Sequence, residues 1–195
     1  MFRLHTFCAP LFSGGSMHHH SHRRAVFFSW ALLIGYLAVQ SPRSFGASPS
    51  ERWHDDLSQQ GRNERIVTEA NSQVGDYGGQ CKVFVQEVVW RASRGVVWLP
   101  QNDPDIAWRW KSSSDVRRIA TDACIRLKPG YILQAQVRLS SGGLSPHTMI
   151  ITEATNSRVT VVESNYTIPN RVTRRTVSIN TFWNSLVHVT VYEIR

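Results

Sequence analysis

The chain is poor in cysteine, with 3 in 195 residues, and only 18% of its residues are charged. Three cysteines are too few for a disulfide-rich scaffold, and this length suits one domain with a short extension rather than a multidomain enzyme. No run of basic residues is longer than a pair. The missing basic clusters argue against a nucleic-acid partner. Residues 48–195 carry 18 basic and 14 acidic residues, which suits a protein that meets an anionic surface.

Long hydrophobic runs are also missing, apart from one near the amino terminus. Residues 25–39 read AVFFSWALLIGYLAV without a charge and directly follow Arg23 and Arg24. This run is short for a helix that crosses about 30 Å of hydrocarbon, and a basic flank before a short apolar core is typical of a secretory signal peptide. We therefore predict that residues 1–47 are a leader, either a signal peptide or a membrane anchor through the apolar run. Residues 48–195 are predicted to be an exported single domain.

If residues 1–47 are a leader, fewer thiol and imidazole side chains remain for catalysis. Cys8 and five of the eight histidines lie before residue 48. The exported part keeps five thiol or imidazole side chains, which are Cys81, Cys124, His54, His147 and His188.

Helical patterns come first in this domain and strand patterns follow. Apolar residues spaced by three and four predict helices over residues 57–74 and 80–93, with Cys81 in the first turn of the second. Alternating segments predict strands over residues 131–137, 147–155, 158–164, 171–179 and 187–194. This order indicates an α+β fold, with an antiparallel β-sheet packed against the N-terminal helices.

Cys81 has the features of a nucleophile. A cysteine attacks as the thiolate, which a helix amino terminus and a nearby imidazolium favour. The glycine-rich turn over residues 75–80 leaves backbone N–H groups near the sulfur, and these would hold an oxyanion. Among the candidate bases, His147 starts a predicted strand after a glycine-rich loop. His188 lies inside a strand and His54 in a polar segment, so we favour His147.

A base of this kind needs a group that orients its ring. Glu163 and Asn165 end the strand that is predicted to pair with the His147 strand. A spacing of two along a strand places both side chains on one face. Tight hairpin pairing is therefore expected to bring both close to His147.

The order Cys, His, Glu, Asn resembles the CHAP domains, the cysteine- and histidine-dependent amidohydrolases/peptidases within the papain-like cell-wall hydrolases. The resemblance rests on GGQCKVFVQ at residues 78–86, HTMIITEATNSRVTVVESNY at 147–166 and, more weakly, KPGYIL at 128–133. It covers about residues 64–170. It implies a papain-like fold that needs no metal and no organic cofactor.

The resemblance also implies roles for individual residues. Cys81 would be the nucleophile, His147 the general base and then acid, and Glu163 the group that orients the ring. Asn165 would assist His147 or polarise the site, and Gln80 matches the position before the cysteine. For an exported protein, the family implies peptidoglycan or its stem peptides as partner, cleaved at a stem-peptide bond or at the N-acetylmuramoyl-L-alanine bond.

Several interpretations stay open at the level of sequence. Cys81 is also compatible with a buried structural thiol or a disulfide to Cys124. Tyr77, Trp108 and Trp110 are candidates for substrate binding by stacking, whereas the two tryptophans equally fit a core beneath a long loop. The whole domain also fits a non-catalytic wall-binding or structural module, or a cysteine protease or acyltransferase that acts on another amide.

Overall fold

The structure is a computed structural model. It describes residues 53–195, except for 101, 104–107, 123–124 and 140. They belong to the second of two compact units, residues 46–195. The predicted leader, residues 1–47 with its apolar run at 25–39, and Cys124 lie outside the described residues. Within the described part, no helix combines the length and the apolar character needed to cross a membrane.

Two helices lie between residue 59 and the first strand of the sheet. Helix α1 is Gln59–Ser72 and helix α2 is Cys81–Ala92, both within a few residues of the predicted bounds. The hydroxyl of Ser58 caps α1 by accepting a hydrogen bond from the Gly61 N–H at 3.1 Å. Helix α2 has no such cap, because Gln80 stands at the N-cap position without a side-chain hydrogen bond to the helix. The first N–H groups of α2 are therefore left for other acceptors.

Six antiparallel strands form one sheet in the order β1-β6-β2-β3-β4-β5. Their bounds are Val116–Thr121 for β1, Ile132–Arg138 for β2, Leu144–Ala154 for β3, Arg158–Ser164 for β4, Val172–Ser178 for β5 and Leu186–Ile194 for β6. The predicted α+β class with an antiparallel sheet is confirmed. A short helix α3, Ile179–Asn184, joins β5 to β6 in a segment for which the sequence pattern predicted no helix.

Both faces of the sheet are covered, since neighbouring strand residues point to opposite sides. Ile132 and Ile150 pack with the apolar residues of α1 and α2 in one buried cluster. Leu133 and Ile151, each one position later, pack with Phe182 of α3 in a second cluster. Two-sided burial explains why apolar residues stand next to each other at 132–133 in β2 and at 149–151 in β3.

Strand β3 begins earlier than predicted, and this corrects the expected loop over residues 141–146. It starts at Leu144 and includes Pro146, which pairs with Gln136 of β2. Pairing of β3 with β4 begins only at Met149. Pro146 therefore lies where β3 has one neighbouring strand, and proline is tolerated at such a local edge because its missing N–H leaves no partner unsatisfied.

Regular alternation along β6 predicts that His188 shares a face with Thr190 and Tyr192, and this prediction is wrong. The register of β6 against β2 shifts between Val187 and Thr190, and His188 has a φ of 53° within this bulge. An extra residue in a strand breaks the alternation of side chains. The His188 side chain is consequently 54% exposed, whereas Thr190 and Tyr192 are fully buried.

Candidate active site

Hydrogen bonds hold the glycine-rich turn before α2 against the end of β4 and the segment that leads into β5. The Gly78 N–H donates to the Asn170 carbonyl at 2.9 Å, and the Ser164 hydroxyl donates to the Gly79 carbonyl at 2.7 Å. A Cβ at Gly78 would lie 2.5 Å from Cγ2 of Val172 and 2.6 Å from Oγ of Ser164. Only glycine allows this close approach. The approach sets the start of α2 against the end of β4.

Cys81 is the first residue of α2 and carries a free, partly exposed thiol. Its side chain is hydrogen-bonded to the ring of His147, and the backbone N–H groups of Thr148 and Lys82 also bond the sulfur. Burial raises the pKa of the Cys81 thiol, but the hydrogen bond and charge of His147 and the two N–H groups outweigh it. The pKa of Cys81 is therefore lowered, which favours the thiolate.

His147 is 4% exposed and lies between the thiol and a buried carboxylate. Its Nε2 is 2.9 Å from Oε2 of Glu163, which leaves Nδ1 as the ring nitrogen for Cys81. Burial lowers the pKa of His147, but the hydrogen bonds to Cys81 and Glu163 raise it to about 9. At neutral pH the ring is thus an imidazolium held between the sulfur of Cys81 and the carboxylate of Glu163.

Glu163 is fully buried and is itself held by an arginine of the next strand. Nε of Arg175 donates to Oε1 of Glu163 at 2.8 Å. Burial raises the pKa of Glu163, but the hydrogen bonds from His147 and Arg175 outweigh it and lower that pKa. The result is a continuous chain of contacts from Cys81 through His147 and Glu163 to Arg175.

Tyr166 covers two members of this chain. Its ring centroid is 4.9 Å from that of His147, with the planes tilted by 41°. The guanidinium carbon of Arg175 lies 4.7 Å from the same ring centroid, a cation–π distance. Tyr166 therefore restricts the orientation of the imidazole and shields the His147–Glu163 contact.

Asn165 is near the site, but its amide does not bond His147. Its Nδ2 donates to Oε1 of Gln80 at 3.1 Å, and its Oδ1 accepts from the Asn170 N–H at 3.0 Å. The first contact fixes the carboxamide of Gln80, whose NH₂ group is left to donate elsewhere. Asn165 has a φ of 60°, a conformation that asparagine adopts more readily than most residues. This backbone turns the chain out of β4 and brings Asn165 to Gln80.

An open cleft of about 270 Å³ adjoins the thiol. The start of α2, the residues after β4 and the β2–β3 hairpin provide its lining, which is Gln80, Cys81, Val137, Arg138, Leu139, Ser145, Pro146, His147, Asn165 and Tyr166. Four of the predicted site residues, Cys81, His147, Asn165 and Gln80, thus meet at one cleft. Glu163 lies directly behind His147.

The three aromatic residues that were predicted to bind substrate do not line the cleft. Trp110 is fully buried and packs edge-on against Tyr192 at a centroid distance of 5.7 Å, so the predicted stacking role of Trp110 is wrong. Trp108 is partly buried beneath the guanidinium of Arg109 at 4.8 Å and is not among the residues that line the cleft. Tyr77 is 78% exposed and also lies outside the lining. Core packing decides the position of Trp110.

The two remaining histidines of the described residues lie away from the cleft. His54 pairs with Asp115 at 3.8 Å, and His188 faces Asp122 at 4.0 Å. Neither lines the cleft beside Cys81. Across the residues that the structure describes, no group of three or more His, Cys, Asp or Glu side chains is arranged to hold a metal ion.

Sequence reasoning missed Arg175 and Tyr166. Arg175 pairs with Val161 in the β4–β5 register, diagonal to the Glu163–Thr173 pair, so it reaches Glu163 on the same face. The only sequence signal is an arginine pair at 174–175 within a strand, and which member faces Glu163 depends on the register. Tyr166 directly follows Asn165 but carries no recognisable pattern of its own.

The Cys81–His147–Glu163 arrangement is suited to nucleophilic attack on a carbonyl group. A thiolate at a helix amino terminus, an imidazolium beside it and N–H donors around it can attack an electron-poor carbonyl, hold the resulting oxyanion and supply a proton. The cleft gives an extended ligand access to the sulfur. None of these groups requires a bound cofactor for that chemistry.

Comparisons with known proteins support the fold. No family model matches the chain, and no curated protein matches it in sequence. Among solved structures, Ly7917 matches with a TM-score of 0.50 and 14% identity over 68% of this chain. Ly7917 with the hydrolyzing product of MDP matches with a TM-score of 0.49 and 16% identity over 68%, and PlyC with 0.47 and 23% over 70%.

The match to Ly7917 is partial in both directions. The chain spans 62% of the length of Ly7917 in one structure and 63% in the other, and 40% of that of PlyC. At this level of identity the likeness is one of fold. The described domain is therefore an α+β domain with the same fold as part of Ly7917.

Proposed function

We propose that this protein is an exported cysteine hydrolase of the papain-like CHAP type that cleaves amide bonds of peptidoglycan. The observation that carries the proposal is the Cys81–His147–Glu163 arrangement at the start of α2, in which the thiol is hydrogen-bonded to a ring that a buried carboxylate holds at 2.9 Å. A structural cysteine needs neither a neighbouring imidazole nor N–H groups aimed at its sulfur.

Cys81 acts as the nucleophile in this proposal. Its thiolate attacks the amide carbonyl and forms a C–S bond, which gives a tetrahedral oxyanion. His147 gives its proton to the nitrogen, the C–N bond breaks and the amine leaves. Water then loses a proton to His147 and attacks the thioester, which releases the carboxylic acid and restores the pair.

Gln80 and the N–H groups at the start of α2 stabilise the oxyanion. The carboxamide oxygen of Gln80 accepts a hydrogen bond from Asn165. The NH₂ group of Gln80 is then available to an acceptor in the cleft. Asn165 is then a positioning residue that acts through Gln80. Of the two expected roles of Asn165, assisting His147 or polarising the site, the 3.1 Å contact with Gln80 favours the second.

Three observations support peptidoglycan as the substrate. Ly7917, whose fold this domain shares, has been solved with the hydrolyzing product of MDP, and muramyl dipeptide is a fragment of peptidoglycan. The charge of residues 48–195 suits an anionic wall. The basic flank and apolar run at residues 23–39 are typical of a protein that leaves the cytoplasm, as a secreted or membrane-anchored chain.

The experiment combines digestion with thiol labelling on the full chain. Wild-type protein is expected to release peptidoglycan fragments with new amine and carboxyl ends, read by mass spectrometry, and Cys81→Ala is expected to release none. Cys124→Ala is the matched control and is expected to keep activity. At pH 6, iodoacetamide is expected to label Cys81 faster than Cys124, and His147→Ala to slow that labelling.

Each contrary outcome has a clear meaning. Equal, slow labelling of Cys81 and Cys124 together with intact peptidoglycan contradicts a catalytic thiol and favours a wall-binding module. Fast labelling of Cys81 with intact peptidoglycan contradicts the substrate and favours a protease or acyltransferase on another amide. The masses of the released fragments separate a stem-peptide bond from the bond between muramic acid and alanine.

A further inference from the structure

The cleft beside Cys81 has an uneven distribution of charge. None of the ten residues that line it is acidic, and the lining carries two basic side chains, His147 and Arg138. The two ring nitrogens of His147 are already engaged, one by the carboxylate of Glu163 at 2.9 Å and the other by the sulfur of Cys81. Arg138 is therefore the basic group of the lining whose charge a ligand can meet.

Arg138 lines the cleft and, among the described residues, differs from several arginines near the sheet in having no ion pair. Arg174 and Arg175 form ion pairs with Glu153 and Glu163, and Arg109 pairs with Asp122. The exposed Arg138 side chain has no ion pair and no side-chain hydrogen bond to any residue in the described part of the chain. A planar guanidinium with free N–H donors is suited to bidentate binding of a carboxylate.

The sheet register sets the distance of Arg138 from the reacting groups. In the β2–β3 pair, Ala135 lies opposite His147 and Arg138 lies opposite Leu144. Three strand residues correspond to roughly 10 Å at about 3.3 Å per residue. An extended peptide advances by a similar amount per residue. A carboxylate within about three residues of the scissile amide therefore comes within reach of Arg138.

The surroundings of Arg138 suit a peptide with small apolar side chains. Leu139 and Leu144, at the base of the β2–β3 hairpin, are 45% and 44% exposed, and Leu139 lines the cleft. Pro146 adds a rigid apolar surface on the same hairpin. A ligand that combines alanine-like groups with a negative charge complements both features.

We propose that Arg138 is a specificity-determining residue that binds a carboxylate of the substrate peptide near the scissile amide. The inference rests on the proposed function and deepens it by assigning acidic rather than amidated peptides as substrates. A peptide whose carboxylate is replaced by a carboxamide keeps its shape but loses the charge that Arg138 pairs with.

Binding without turnover tests this inference. Full-chain Cys81→Ala is titrated by calorimetry with muramyl tetrapeptide in three forms: unmodified, with the glutamate carboxylate amidated, and with the C-terminal carboxylate amidated. One amidation is expected to weaken binding about tenfold, in line with a charge-assisted hydrogen bond, and this identifies the carboxylate that is bound. Arg138→Ala in the same background is expected to remove the difference, and Arg138→Lys to restore part of it.

Arg174→Ala is the control, since that exposed arginine pairs with Glu153 and does not line the cleft. It is expected to keep the preference for the acidic peptide. With catalytically competent protein, Arg138→Ala is expected to raise KM for the acidic peptide about tenfold with little change in kcat, and to leave the amidated peptide unaffected.

Equal affinity for all three peptides, absence of binding, or a preference that survives Arg138→Ala overturns the inference. A preference for the acidic peptide that depends on Arg138, found in a protein that cleaves no peptidoglycan, upholds the inference while the proposed hydrolysis fails. The two claims are thus separable.

Discussion

At the scale of single residues, the site depends on mutual stabilisation of charge. Cys81 and His147 each favour the charged form of the other, and Glu163 holds the imidazolium from the far side. Each of the three charges would be costly alone in this partly buried place, because desolvation opposes ionisation. Removal of any member therefore changes the protonation of the other two.

The pH dependence of activity is the first prediction at this scale. Activity needs the thiolate and the imidazolium together, so it is expected to fall in alkali as His147 loses its proton near pH 9, and in acid as the thiolate takes one up. Glu163→Gln removes a group that raises the pKa of His147. The alkaline limb is then expected to move to lower pH and kcat/KM to fall by about 10²-fold.

Profiles of kcat/KM against pH for wild type and Glu163→Gln check this, with Glu153→Gln as the matched control. Glu153 is 62% exposed and pairs with Arg174 away from the thiol, so its replacement is expected to leave both limbs in place. An unshifted alkaline limb in Glu163→Gln would mean that the buried carboxylate does not act on the imidazole.

At the scale of elements, the approach of the 75–80 turn to β4 and β5 positions the nucleophile. Helix α2 begins with Cys81 because the residue before it, Gln80, has an extended backbone conformation. The Gln80 side chain does not cap the helix. The uncapped N–H groups then serve the sulfur. The start of α2 therefore forms part of the active site itself.

Gly78→Ala tests this positioning. The added Cβ would lie 2.5 Å from Val172 and 2.6 Å from Ser164, so the turn must move. The free energy of unfolding is expected to fall by about 1–3 kcal/mol, as for overpacking elsewhere, and labelling of Cys81 by iodoacetamide at pH 6 is expected to slow. Urea unfolding and labelling rates measure the two effects.

Gly61→Ala is the matched glycine control. Gly61 lies in the first turns of α1, and a Cβ there meets its nearest neighbour, Leu57, at 3.4 Å. Alanine is the better helix former, so a gain of up to about 1 kcal/mol with unchanged labelling is expected. Normal labelling in Gly78→Ala would show that the turn tolerates displacement without moving Cys81.

At the scale of the whole molecule, the sheet separates two apolar clusters and carries the charged site at one end. Helices α1 and α2 cover one face, and α3 with the segments around β2 and β6 covers the other. Residues of β3 and β4 are packed in both clusters, and these strands hold His147 and Glu163. Folding stability and site geometry are therefore coupled.

The coupling predicts a specific dependence of stability on pH. The folded-state pKa of Glu163 is lowered, so its contribution is complete above the unfolded value of about 4.3 and is lost as pH falls through the folded pKa. The raised pKa of His147 has the opposite effect on stability. Its stabilising contribution is complete below about pH 6.5 and is lost as the pH rises through about 9. The lowered pKa of Cys81 works against that alkaline loss.

The acid range isolates the contribution of Glu163. Glu163→Gln is expected to cost about 3 kcal/mol of unfolding free energy at pH 7, since it leaves the charges of Arg175 and His147 without their carboxylate. The difference from wild type is expected to shrink as pH falls towards 3. Urea unfolding at several pH values measures it, and a difference that is constant with pH would contradict the assignment.

Local patterns in the sequence determined most elements and the members of the site. Apolar spacing predicted α1 and α2, and alternation predicted five of the six strands, because these periods report which face of each element is buried. Helix α3 and the His188 bulge were missed, since a short helix and a single extra residue leave little periodic signal. The position of Cys81 at a helix start was readable from the turn before it.

Only the tertiary structure decided how these residues are connected. Strand register brings Arg175 to Glu163, and the left-handed backbone at Asn165 directs its amide to Gln80 rather than to His147. Packing buries Trp110 and removes it from the cleft. The physical reason is that local sequence sets what each segment buries, whereas register and packing between distant segments depend on the fit of the whole core.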